Sequence, residues 1–86
     1  MIKIWAKVYK GEKIIRQAVI EKDGDMDYSL FFEYLKELCE LTDVPCPILI
    51  KHHIFSYAKY NFVAFTKNDF MESVPFTKFV LENINR

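Results

Sequence analysis

Glycine is scarce in this chain, with two among 86 residues (Gly11 and Gly24), and there are three prolines. So few backbone breakers exclude a disordered or low-complexity segment. They also leave no Gly-rich turn to supply oxyanion donors. Two cysteines, Cys39 and Cys46, are too few for a disulfide framework. No apolar run approaches the 18 residues that mark a membrane span. The opening Met-Ile-Lys-Ile-Trp-Ala-Lys carries charge where a signal peptide needs an apolar core. A soluble, cytoplasmic protein with no membrane partner is expected. Net charge is also missing: twelve Lys and Arg balance twelve Asp and Glu, so no global field favours nucleic acid or membrane.

What is present is apolar and aromatic. The apolar fraction is 51%, with eight Phe and five Tyr. A chain of this length has room for a single domain, residues 1–86, that buries roughly 60 to 65% of its unfolded surface. Aromatic side chains suit so small a core because each buries a large area. The zero net charge hides a segregation. Residues 1–22 carry net +4 and 44–67 net +3, while 23–43 carry net −6. Complementary packing of an acidic helix on basic strands accounts for this pattern.

One stretch has an unmistakable period. From Asp27 to Thr42, the residues Leu30, Phe31, Tyr34, Leu35, Leu38 and Leu41 recur at helical spacing, and Glu33, Lys36, Glu37 and Glu40 fill the other face. Asp27 is the expected N-cap. Val44-Pro45 and Pro47 supply the stop. Ahead of this helix, Ile2 to Lys10 alternates: Ile2, Ile4, Ala6 and Val8 face one way, and Lys3, Trp5, Lys7 and Tyr9 the other. Gly11-Glu12 reads as a two-residue turn with positive φ at Gly11, returning Lys13 to Lys22 antiparallel. Uninterrupted pairing from that turn sets Val8 opposite Ile15 and Lys7 opposite Arg16. A three-residue loop would shift the parity and move Arg16 to the Ile2 face. Ile48 to His52 reads as a third strand and Asn61 to Thr66 as a fourth, with 53–60 ambiguous between helical turn and strand. Phe76, Phe79, Val80 and Ile84 fit a last helix. The expected class is α+β: a mainly antiparallel four-stranded sheet in β-β-α-β-β-α order with helices on one face. Strand order is left open.

Chemistry-bearing residues form no converging catalytic set. Cys39, Cys46, His52 and His53 include metal-ligand types, but the cysteines stand seven apart and adjacent histidines on an extended segment diverge, so no metal is expected. Cys46 lacks the helix N-terminus that would activate a nucleophile. Asp23, Asp25 and Asp27 imitate the start of a calcium loop whose required glutamate would fall on Tyr34. They read as a solvated turn with a helix cap. Phe32 stands on the polar side of the helix, as a shoulder of the core or an exposed contact. The remaining constellation is a strand face with Lys3, Trp5, Lys7 and Tyr9, joined by Arg16 in the uninterrupted register. Aromatic and basic residues together suit a protein interface, or alternatively a single-stranded nucleic acid.

In the second half, Val44-Pro45, Pro47, Lys51-His52, Phe55, Tyr60, Phe65, Asn68-Asp69-Phe70, Glu72-Ser73-Val74 and Phe76 to Lys78 resemble a family of small uncharacterised bacterial proteins, over about residues 44–78. That family usually has an acidic residue where Pro75 and Thr77 stand. The resemblance implies a stand-alone bacterial domain and brings no activity, cofactor or site residue with it. The expectation is therefore a non-enzymatic binding or self-association module without a cofactor. A homo-oligomer or protein partner is favoured, with nucleic acid as the alternative.

Overall fold

The structure, a computed structural model, describes residues 1–85. Strands β1 (Ile2–Lys10) and β2 (Lys13–Lys22) form a hairpin, followed by helices α1 (Phe31–Thr42) and α2 (Lys51–Tyr60) and strands β3 (Phe62–Thr66) and β4 (Lys78–Asn83). All pairings are antiparallel, in the order β2-β1-β4-β3. The α+β class with a four-stranded antiparallel sheet and two helices is as expected. Where the second helix and one strand fall along the chain is different.

Ile48 to His52 is not a strand. Pro45 and Pro47 keep the approach extended, and at Lys51 the chain turns into α2. Its buried face is narrow, His53 and Tyr57 one turn apart, which is why the helical period is faint in the sequence. His53 starts the helix by accepting the free Ile50 N–H on Nδ1 at 3.1 Å. Asn61 ends it in the left-handed region (φ 64), donating to the Tyr57 carbonyl.

Residues 76–84 do not form a helix. Phe79, Val80 and Leu81 are consecutive and buried, because β4 lies between β1 and β3 with its inner side in the core. Burial of both faces erases the alternation that would mark a strand and leaves spacings that imitate a helix. Phe76 instead packs edge-on against Phe70, with ring centroids 5.2 Å apart.

The hairpin turn is the expected two residues, with Gly11 at φ 65, but the register is not the uninterrupted one. Tyr9 pairs with Ile14 and Val8 with Arg16, leaving Ile15 as a one-residue bulge. The bulge changes the parity and carries Arg16 to the inner face. It also sets Ile4 opposite Ile20 and Ala6 opposite Ala18, which a straight hairpin would lose. Thr77 ties this hairpin to the far end of the chain. Its N–H and Oγ1 both donate to the Tyr9 carbonyl, at 2.8 and 2.9 Å, and Oγ1 accepts from Gly11 N at 3.1 Å.

One hydrophobic cluster draws on every element. It fills the side of the sheet carrying Ile2, Ile4, Ala6 and Val8. There α1 packs on β2 and β1, and α2 packs on β3 and β4. The stripe that α1 buries is Phe31, Tyr34, Leu35, Leu38, Cys39 and Thr42, so Leu30 and Leu41 are exposed, as is Phe32. Asp27 caps a 3-10 turn, Tyr28–Leu30, that leads into α1. Its carboxylate accepts from Ser29 N and Oγ, which holds its pKa below the usual range. Lys22 reaches Glu37 at 2.8 Å, an ion pair joining basic strand to acidic helix. Among the described residues no helix is long and apolar enough to cross a membrane.

Candidate functional site

The outer face of the sheet carries no helix, as antiparallel sheets permit. Lys3, Trp5, Lys7 and Tyr9 lie on it together, and Arg16 does not join them. From the inner side, the Arg16 guanidinium donates to the Thr42 and Asp43 carbonyls at 3.2 and 2.9 Å, capping the C-terminus of α1. That end needs a cation, because Asp43 leaves the helix in the left-handed region (φ 55) and no basic residue stands in the last turn.

The lysines of the outer face have acidic partners. Lys3 pairs with Glu21 at 3.4 Å and Lys7 with Glu82 at 2.7 Å. Lys7 is 7% exposed and its ammonium lies 4.2 Å over the Trp5 ring, while Trp5 Nε1 donates to Gln17 Oε1 at 2.9 Å. Lys78 covers Tyr9 in the same way, at 4.7 Å. This face is a cross-braced layer in which cation, ring and carboxylate satisfy one another. Glu82 and Lys78 were out of reach of sequence reasoning while 76–84 read as a helix.

A second surface lies at the far edge of the sheet. A cleft of about 430 Å³ runs between α2 and β3, bordered by Ile50, Ser56, Tyr60 and Asp69. Phe62, Val63 and Ala64 all line it although their side chains alternate between faces, so the cleft follows the strand's free edge. The hydrogen-bond parity agrees. Asn61 O accepts from Asn83 N on β4, whereas Thr66 N points away from β4 and donates to Asp69 Oδ2 at 2.8 Å. Alternation then turns the N–H and C=O of Phe62 and Ala64 outward, and among the described residues nothing bonds them.

The two edges of the sheet differ in kind. β2 carries Lys13, Arg16, Glu21, Lys22 and a bulge, the devices that discourage further pairing. β3, Phe-Val-Ala-Phe-Thr, carries no charge, no proline and no bulge. The Ile48 N–H, bonded to the Asp69 carbonyl at 2.8 Å, anchors the incoming link at one end of the cleft.

His53 sits at the back of this cleft. Its Nδ1 is committed to Ile50 N, its Nε2 faces Asp69 Oδ1 at 3.6 Å, and its ring lies 4.5 Å from Phe65. Burial lowers its pKa and outweighs the pull of Asp69. His53 thus caps α2 through Nδ1 and turns its Nε2 toward the Asp69 carboxylate. The metal-ligand types separate: His52 and His53 belong to the cleft, while Cys39 is buried on α1 and Cys46 is exposed on the link that follows it. Among the described residues no three of His, Cys, Asp or Glu are placed to hold a metal ion.

Comparison of the chain with family models, with curated proteins and with solved structures finds no match.

Proposed function

We propose that the protein is a non-enzymatic binding module that takes an extended protein segment as a fifth strand along β3. The observation that carries this reading is the outward-facing, unbonded backbone of Phe62 and Ala64 beside a cleft, in a strand free of charge. An added strand would satisfy these groups and place alternate side chains against Tyr60, Phe62 and Ile50, all exposed. Lys51, Lys59 and Lys67 stand at the ends of α2 and β3, just outside the cleft, and the one carboxylate in its lining, Asp69, is engaged by Thr66 N and faces His53. The favoured occupant is therefore an extended segment alternating apolar and acidic residues. Nucleic-acid binding through the Lys3, Trp5, Lys7 and Tyr9 face is less favoured, because Lys3 and Lys7 are engaged by carboxylates.

Three short capped peptides alternating valine with glutamate, serine or lysine, titrated while backbone amides are followed by NMR, test the proposal. The glutamate peptide is expected to bind best and to shift the Phe62 and Ala64 amides. Ala64→Pro removes an outward N–H without touching the β4 ladder, and should weaken that binding tenfold or more while the fold persists. Equal binding by all three peptides, no binding by any, or indifference to Ala64→Pro would each reject the proposal. Loss of binding on adding an oligonucleotide that shifts the Trp5 face would favour the other reading.

A further inference from the structure

Phe62 and Ala64 turn their backbone groups outward, and the side chain of Val63 between them is buried on the inner side, where it pairs with Leu81. Thr66 N is committed to Asp69 Oδ2, so the open part of the edge ends there. A segment lying along this edge is held by backbone bonds opposite Phe62 and Ala64, and its residue between those two stands opposite Val63. Cross-strand neighbours share a face, so that side chain enters the space between β3 and α2. The α2 wall of this space has a definite shape. His52, Ser56 and Tyr60 all line the cleft and follow one another at four-residue spacing, as one stripe of the helix. The two ring residues are exposed and the serine between them is half-buried, so the wall dips at its middle. The rise from residue 52 to residue 60 is about 12 Å along the axis. A ring seated over Ser56 would lie about 6 Å from each neighbour, inside the range at which aromatic rings pair. The cleft, of about 430 Å³, leaves room for one such side chain.

Given an added strand along β3, as proposed above, we infer that the cleft is a pocket for one side chain of that strand, the one opposite Val63, and that this side chain is aromatic. It sits between His52 and Tyr60, over Ser56 and beside Val63. The acidic residues of the segment then fall opposite Phe62 and Ala64 and turn to the other face of the sheet. This fixes the phase of the alternation, aromatic toward α2 and acidic away from it. The reverse phase would place a carboxylate in the cleft that Asp69 lines, and like charges would meet there.

The test titrates the full chain with two capped peptides, Val-Glu-Phe-Glu-Val and Val-Glu-Val-Glu-Val, while methyl and amide signals are followed by NMR. The phenylalanine peptide is expected to bind roughly tenfold tighter, and its ring current should shift the Val63 methyls. Ser56→Leu, which fills the dip in the wall, should bring the two affinities within about twofold of each other. Equal affinity of the two peptides, with the Phe62 and Ala64 amides shifting in both titrations, overturns the pocket and leaves the fifth strand standing. The same holds if the ring shift falls on Ala64 and spares Val63, or if Ser56→Leu keeps the full preference. Binding by neither peptide overturns the fifth strand and the pocket together. The affinity ratio and the Val63 shift are read on wild-type protein, so they decide the matter even if Ser56→Leu does not fold.

Discussion

Arg16 shows how much one residue's direction depends on its neighbours' spacing. In an unbroken hairpin it would lie beside Lys7 and add a cation to the outer face. The bulge at Ile15 turns it inward to the carbonyls that end α1. Arg16→Ala should therefore act on the helix end, lowering stability by roughly 0.5–1.5 kcal/mol. Arg16→Lys should recover much of this, since both oxygens are reached from the single nitrogen Nη1 and an ammonium carries three donors. Urea denaturation of the two variants measures the difference. Tyr57 presents the opposite case: its hydroxyl is buried and has no partner among the described residues, so burial raises its pKa. Its ring, 5.0 Å from Phe31, is what the core uses.

Among the elements, α2 depends on a titratable cap. The folded pKa of His53 lies below its unfolded value of about 6.5. As pH falls below that value, the unfolded chain takes up the proton first. The stability associated with neutral His53 is complete above about pH 6.5 and is lost as pH drops toward the folded pKa. Protonation also turns Nδ1 from acceptor to donor against the Ile50 N–H. The urea midpoint should be level from pH 8 to 7 and decline below 6.5, and His53→Gln should flatten that decline at a cost of about 1 kcal/mol. Asp69 and His52 are the other titratable groups facing the ring.

Which elements were legible in the sequence follows from the same physics. β1 and α1 show their periods because each buries one side only, so the face bearing Lys3, Trp5, Lys7 and Tyr9 could be assigned correctly. β4 buries Val80 on the outer face between inward Phe79 and Leu81, so its apolar residues run together and show no period. α2 rests on two buried residues and a histidine cap, neither of which makes a pattern. The β3 edge and its cleft needed the strand order, which no local rule supplies.

At the scale of the whole molecule, the sheet is strongest at its middle and weakest at its edges. β1 and β4 are paired on both sides, so native-state hydrogen exchange should find their amides, including Lys7 and Val80, slowest, opening only with global unfolding. The Phe62 and Ala64 amides should exchange orders of magnitude faster, and comparably slow exchange there would contradict an open edge. The central pairing also has a kinetic side. β1 is held by β4, and Thr77 clasps the Tyr9 carbonyl, so the partners at the middle of the sheet are separated by most of the chain. The β1–β2 hairpin can form early, but its other edge waits until nearly the last strand has been made. Closing so long a loop is costly in entropy before any contact repays it. Folding should therefore be slow for a chain of this size, with a late step in which β4 docks on the β1–β2 hairpin and gives β3 its one partner.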